Sequence, residues 1–417
     1  MRINLLQHIR LFMFLCCYVS VVLLVLSCSR NRIDCEEDAI DVISAKRTVL
    51  IYMGASNSLS RFSDDDIYEM EQGICDVANL DNCNVLVYLQ KGMGKGRTQP
   101  VLKRLVKELD TQGNFVGGWD IVKVYPEQNS MRVDVMERIY KDAYLGFPAD
   151  SYGLVLWSHA DGWLEGTPQV DTRWYGQDIY QGQSYHLDIL DLNKALEAAP
   201  YLDFILFDCC LMQSVEVAYE LRDKANYMLG SPAEIPGPGA PYDKLVPVFY
   251  LDKRNIERDL ATAYYNYYFK TYTGTSQGNY PWQGGVSMTV LNLKEMDEFA
   301  RMTKSLLADH GALYDDLDYE GSFFYDPRRD YKMYYHDLYD IMERSSLSAS
   351  ASWKSAYDQF VVYFETTPTN YSGVVGRDFS MRGSNGVSMY IPKSSIAYKK
   401  ENEYYRSLSW YKYMRDN

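Results

Sequence analysis

Apolar runs and helical stripes alternate along the chain from residue 48 onward. Thr48 to Gly54 (Thr-Val-Leu-Ile-Tyr-Met-Gly) predicts a strand that ends in a glycine loop. Ser63-Asp64-Asp65-Asp66 reads as a helix cap, with Ile67, Met70 and Ile74 following at helical spacing. Asn84 to Gln90 predicts a second strand, so the opening unit is βαβ and parallel. Val101 to Leu109 fits either a helix or a strand, and Ile121 to Tyr125 predicts a short edge strand. Met131 to Tyr144 places Met136, Ile139, Tyr140 and Ala143 on one helical face. Tyr152 to Ser158 is the third main strand. The polar stretch Glu165 to Tyr185, with Gly166, Pro168, Gly176 and Gly182, reads as one long loop. A helix carrying Ile189, Leu192 and Leu196 leads to a fourth strand, Asp203 to Phe207. A helix starting near Met212, a fifth strand at Tyr227 to Gly230 and a rigid Pro/Gly loop from Pro232 to Pro241 follow. Beyond them the pattern turns helical and Tyr-rich, with strand-like Val286 to Leu293 and Gly386 to Ile391. Strands that read as unbroken apolar runs are buried on both faces, which points to an α/β fold around a parallel sheet.

Two of those strands end in reactive side chains. Leu154-Val155-Leu156-Trp157 runs into Ser158-His159-Ala160-Asp161-Gly162-Trp163, and Phe204-Ile205-Leu206-Phe207 runs into Asp208-Cys209-Cys210-Leu211-Met212. Open α/β sheets gather their chemistry just beyond the carboxyl ends of their strands. A His and a Cys delivered to one sheet edge suggest a thiol nucleophile with a general base. Cys210 stands where the strand gives way to the expected helix, whose dipole would favour thiolate. His8 lies near the start of the chain, His186 precedes a helix, and His310 and His336 fall in the C-terminal region, which leaves His159 as the base. Neighbouring side chains on extended backbone point opposite ways, so Cys209 is expected in the core and Cys210 in the site. The plainer alternative makes both cysteines small buried hydrophobes; the matching His motif favours the nucleophile. Asp208, two residues earlier, either caps the following helix or faces a cationic substrate group.

The first 27 residues carry Arg2 and Arg10 and then a 16-residue apolar stretch, Leu11 to Leu26. That is the pattern of a secretory signal, and it is short for a membrane span. Its ending, Val25-Leu26-Ser27-Cys28, resembles a bacterial lipobox, which makes Cys28 the lipid attachment site. The expected organisation is a signal over 1–27, an acidic tether over 28–46 and one domain over 47–417. That domain has its core motifs in 47–250 and a C-terminal part in 251–417. The expected location is the bacterial cell envelope, lipid-anchored at the outer membrane on its surface or periplasmic face. With the signal removed, 40 basic residues remain against 56 acidic, a net charge of −16. Such a balance argues against a nucleic-acid partner. No His/Cys/Asp/Glu cluster has metal-ligand spacing. Cys75 and Cys83 could pair across a short loop, which their Cα separation decides.

With these residues in view, the chain resembles the clostripain-like cysteine peptidases, relatives of gingipains, legumains and caspases. The motifs are Trp157-Ser158-His159-Ala160-Asp161-Gly162-Trp163 and Asp208-Cys209-Cys210-Leu211-Met212, followed by Glu216 and Ala218-Tyr219-Glu220-Leu221. Gly230-Ser231, Pro236-Gly237, Tyr242-Asp243 and Gly386 to Pro392 support them, so the resemblance spans residues 47 to 395. It implies a caspase-like α/β/α sandwich with a mostly parallel central sheet and a helical, Tyr-rich C-terminal part. It further implies an endopeptidase with His159 and Cys210 as catalytic dyad, backbone N–H groups of Ala160 and Cys210 at the oxyanion, and peptide or protein substrates. Asp208 would floor a pocket for Arg or Lys, and Glu234 is the remaining acid after Ser231, where Pro232-Ala233 replaces acidic residues. Ala160 replaces a glycine common in the family. Some relatives require calcium or cut themselves between the two motifs, and no residue here selects either property. A peptide- or glycan-binding lipoprotein of the same fold without catalysis, and a thiol-dependent transferase, are the competing readings.

Overall fold

Residues 42–163, 175–275, 282–309, 314–327, 333–344, 350–373 and 375–415 are described in a computed structural model. The signal, Cys28, Cys35 and most of the tether lie outside them. Strand β1 (Ala45–Ala55) begins just inside the stretch read as tether, and β2 (Cys83–Lys91) pairs parallel to it. The ambiguous segment is a strand, β3 (Val101–Leu109), antiparallel to β2. The edge strand β4 (Phe115–Val124) starts six residues before Ile121. On the other side of β1 lie β5 (Ala149–Trp157), β8 (Leu202–Asp208) and β9 (Ala225–Gly230), all parallel. Two antiparallel strands complete the sheet, β10 (Ser287–Asn292) and β12 (Val361–Thr366), giving the order β12-β10-β9-β8-β5-β1-β2-β3-β4.

The centre is therefore five parallel strands with antiparallel pairs at both flanks. Alternation sorts the side chains of each central strand onto two faces. Leu50, Tyr52, Leu154, Leu156, Ile205 and Phe207 join one core, and Val49, Ile51, Met53, Val155, Phe204 and Leu206 join the other. Helix α1 (Phe62–Cys75) covers the second face with Met70 and Ile74; α2 (Val133–Gly146) covers the first with Met136, Ile139 and Tyr140. Helices α3 (Ile189–Ala195) and α4 (Val215–Leu221) join α2, while α5 (Tyr242–Phe249) and α6 (Glu257–Thr271) join α1. The result is the expected α/β/α sandwich. Each fully buried Leu, Ile or Phe contributes about 1.5–3 kcal/mol relative to exposure, so these two faces carry the stability.

Several local expectations need correction. Ser63 lies inside α1, where its hydroxyl donates to Ser60 O at 2.7 Å, and the cap position is Arg61. The polar stretch after β5 is not all loop: β6 (Tyr175–Tyr180) and β7 (Gln183–Leu187) form a hairpin. Its turn holds Gln181 and Gly182 at φ 50° and 77°, so turn chemistry hid two strands. Of the stretch from Glu165, residues 165–174 lie outside the described residues. Of Gly386 to Ile391 only Ser388–Met389 is a strand, pairing with β11 (His336–Asp337). Cys75 and Cys83 are both free thiols.

Candidate active site

The carboxyl ends of β1, β5, β8 and β9 open onto a cavity of about 310 Å³. His159, Ala160, Asp208, Cys210 and Glu234 all line it, so every site residue singled out within the fold meets there. Trp282, Tyr371 and Gly373 from the C-terminal part complete its wall.

Strand β5 ends at Trp157, and Ser158 then fixes the turn. Its Oγ donates to Gly54 O at 2.8 Å and receives Gln177 N–H at 3.0 Å and Asn57 Nδ2 at 3.2 Å. Three segments are thereby tied at the residue before His159. The His159 ring is half-buried, and burial lowers its pKa from the ordinary imidazole value. Its Nε2 lies 2.8 Å from Ser58 Oγ. Gly176 N–H donates to His159 O at 2.8 Å within the bridge between Ala160 and Tyr175. Ala160 is not among the residues with positive φ, so its Cβ brings no left-handed strain to the position of the family's glycine. Gly162, by contrast, has φ 80°, and a Cβ there would collide with the Tyr335 hydroxyl.

Strand β8 ends at Asp208, and the chain then turns sharply. Leu211 adopts φ 63°, which for a residue with a branched side chain costs about 1–3 kcal/mol and must be imposed by its surroundings. Leu211 N–H donates to Ala233 O at 3.0 Å and Gln213 N–H to Ser231 O at 3.2 Å, which supply that constraint. Helix α4 starts only at Val215, capped by Ser214 Oγ. The expectation of a helix from Met212 is corrected accordingly. The dipole effect fades beyond the first turn, so helix onset does not account for thiolate at Cys210. What does point at the sulfur is Ile235 N–H, 3.4 Å from Cys210 Sγ. Cys209 is 1% exposed and burial pushes its thiol well above the ordinary range, whereas Cys210 is half-buried on the cavity.

Asp208 is 2% exposed, and burial raises its carboxyl to about 6. Its Oδ2 accepts from Ala240 N–H at 3.1 Å and Tyr242 Oη at 3.0 Å, and its Oδ1 from Tyr264 Oη at 3.1 Å. Asp208 caps no helix, because α4 has its own cap. It holds the Pro/Gly loop instead: Gly239, at φ 75°, passes so close that a Cβ would sit 3.1 Å from Asp208 Oδ2. Two further acids stand behind it, Asp66 buried and Glu69 half-buried. Glu69 accepts Tyr242 N–H at 2.9 Å and is raised to about 7 by burial, and Asp66, hydrogen-bonded to the Trp157 indole, is raised well above its usual range. Glu234 is engaged as well, accepting from Ser372 Oγ and, at 3.0 Å, from Gly373 N–H. Among the described residues no three His, Cys, Asp or Glu side chains converge as metal ligands.

Sequence reasoning missed Ser58 and Asn57, which had no signal beyond following a strand end. It also missed Tyr264, Trp282, Tyr371 and Gly373, which reach the site only through tertiary folding.

A thiol and an imidazole at neighbouring parallel strand ends of an α/β/α sandwich are the equipment of a caspase-like cysteine peptidase. The clostripain family model matches residues 51–416, and the chain belongs to that family. A secreted C11 cysteine protease from Bacteroides thetaiotaomicron, solved with an irreversible peptide inhibitor, is 39% identical. It superposes with a TM-score of 0.78, over 89% of this chain and 99% of that one. An inactive zymogen C11 protease from Parabacteroides distasonis is 28% identical, with a TM-score of 0.71 over 90% and 99% of the two chains. Clostripain of Hathewaya histolytica is 23% identical over 88% of this chain and 79% of its own length. The protein is a cysteine-type peptidase, and its substrates are peptides.

Proposed function

We propose that the protein is an endopeptidase cutting after Arg or Lys through an acyl-thioester, with His159 and Cys210 as its dyad. The observation that carries this reading is the shared cavity: His159, Cys210 and Asp208 line one pocket at adjacent strand ends. In the reaction, His159 takes the Cys210 thiol proton and the thiolate sulfur bonds to the scissile carbonyl carbon. The carbonyl electron pair moves onto oxygen, where the Ala160 and Cys210 backbone N–H groups stabilise it. Collapse breaks the C–N bond, and the leaving amine takes the proton from His159. Water, deprotonated by the same ring, then attacks the thioester, and the acid departs as the thiolate returns.

Asp208 supports the cationic preference. It is a desolvated carboxylate on the pocket wall, and three donors leave room at Oδ1 for one more. Glu234 is a second acid on that wall, though Ser372 and Gly373 already occupy its oxygens. The Cys28 motif supports anchoring of the mature chain in the bacterial envelope by lipid.

Hydrolysis of fluorogenic peptides ending in Arg, Lys or Leu, with wild type and Cys210→Ala, tests the proposal. Arg and Lys peptides should be cleaved by wild type alone. Activity that persists in Cys210→Ala overturns the dyad, and a preference for Leu overturns the specificity.

A further inference from the structure

The His159 ring has one side-chain partner that the dyad leaves without a role. Its Nε2 lies 2.8 Å from Ser58 Oγ, in the loop that follows β1. That loop is held immediately before Ser58. Asn57 Nδ2 lies within hydrogen-bond distance of Gly54 O (2.8 Å), Gln177 O (2.9 Å) and Ser158 Oγ (3.2 Å). Asn57 Oδ1 receives Leu59 N–H at 2.9 Å. Asn57 is fully buried and Ser58 is exposed, so a locked residue directly precedes the one whose hydroxyl meets the ring. The residue before Ser58 and the residue before His159 are thus joined to each other directly.

We propose that Ser58 is a positioning residue for His159: its Oγ accepts the Nε2–H and leaves the Nδ1 lone pair for the Cys210 proton. This rests on the His159–Cys210 reading of the site. The proton count requires this tautomer. At rest the neutral ring carries one hydrogen, on Nε2. When Nδ1 takes the thiol proton both nitrogens are protonated, and Nδ1–H later passes to the leaving amine. The Nε2–H stays on Ser58 Oγ throughout, while the hydroxyl's own hydrogen faces water. If Ser58 donated to Nε2 instead, the ring hydrogen would sit on Nδ1 and the thiol proton would have no acceptor.

A hydroxyl orients the ring without adding negative charge beside it. Among the described residues, the titratable side chains that line the same cavity are Cys210, Cys209, Asp208, Glu234 and Tyr371, and Asp161 lies two residues further along the chain. Burial moves His159 downward, and a carboxylate at position 58 would push it back up.

The test is peptide hydrolysis from about pH 5 to about pH 9 by wild type, Ser58→Ala, Ser58→Thr and Ser58→Asp, with His159→Ala as reference. Ser58→Ala should lower kcat roughly ten- to hundred-fold, the worth of a hydrogen bond to a charged group, and leave KM within about two-fold. Ser58→Thr should restore kcat to within about five-fold of wild type, since the acceptor oxygen is kept. Ser58→Asp should shift the acid limb of kcat/KM upward by about one pH unit or more. A wild-type kcat and pH profile in Ser58→Ala, beside an inactive His159→Ala, overturns the assignment of Ser58 alone. Equal losses in all three Ser58 variants with lowered Tm also overturn it, because the residue would then only hold the loop. Full activity in His159→Ala removes the dyad itself, and the Ser58 proposal with it.

Discussion

Trp157 of β5 and Asp208 of β8 are register partners in the parallel sheet. His159 and Cys210 each follow two residues beyond that rung, so one pairing sets the level of both. Burial on both sides of the sheet fixes the register, because a one-residue slip would invert every side chain. Met53 pairs with Trp157 on the other side, which brings the Ser58 loop to the same height.

Cys210→Ala should abolish hydrolysis, whereas Cys209→Ala should keep most of it. The Cys209 thiol is buried and held protonated, and truncating it costs about 1 kcal/mol of packing. Peptide mapping after iodoacetamide treatment should find the label on Cys210. A label and an activity that both follow Cys209 would reverse the assignment.

Asp208→Asn should lower kcat/KM for Arg peptides by a factor on the order of tens to thousands, and affect Leu peptides much less. The same carboxylate gives a pH signature. Its pKa in the fold, about 6, lies above the unfolded value, so it binds its proton more tightly when folded. The associated stability is complete below about pH 4 and is lost as pH rises through about 6, an effect on the order of 2–3 kcal/mol. The gap in unfolding free energy between wild type and Asp208→Asn should therefore narrow from pH 4 to pH 8. KM for Arg peptides should rise as pH falls through about 6, where the anion is lost. Denaturant titrations and kinetics at matched pH values check both trends.

The hairpin that supports Ser158 hangs on a buried ion pair. Arg97 Nη1 lies 2.6 Å from Asp178 Oδ1, and Asp178 Oδ2 also receives Ser130 N–H at 2.6 Å. Asp178→Ala should cost about 3–5 kcal/mol, because it removes the buried anion from a buried guanidinium and leaves it only the exposed Glu127, 3.4 Å from Nε, and backbone carbonyls. Arg97→Lys should recover only part of the pairing, since it loses the second contact, Arg97 Nη2 to Asp178 Oδ2 at 3.0 Å. Urea unfolding of the two variants measures the costs, and activity should fall with them through Gln177 and Ser158.

Wild-type protein should partition into detergent after expression in a bacterium with lipoprotein processing, and Cys28→Ser should block that partition or the processing. Mass spectrometry of the mature N-terminus decides, and an unmodified Cys28 would remove the anchor.

The central strands were legible because burial on both faces writes itself into the sequence as continuous apolar runs. That His159 and Cys210 would reach one sheet edge was legible because each lies within three residues of the end of such a run. The hairpin at Tyr175–Leu187 was not, since its strands are polar and its turn glycines look like loop. The onset of α4 was misread by three residues because Leu211 takes a left-handed backbone that its side chain does not announce. Tyr242 and Tyr264, the anchors of Asp208, lie 34 and 56 residues further along, at a separation no local pattern bridges.

The grip of Glu234 on Ser372 and Gly373 spans 138 and 139 residues of chain. Ser388 N–H reaches Gln213 O at 3.0 Å, and Tyr390 N–H reaches Glu216 Oε1 at 2.7 Å, from later still. During synthesis, both halves of the proposed dyad emerge from the ribosome long before the segment that walls their cavity. A nascent chain thus carries the proposed pair unfinished until the segment from Tyr371 to Tyr390 has followed it.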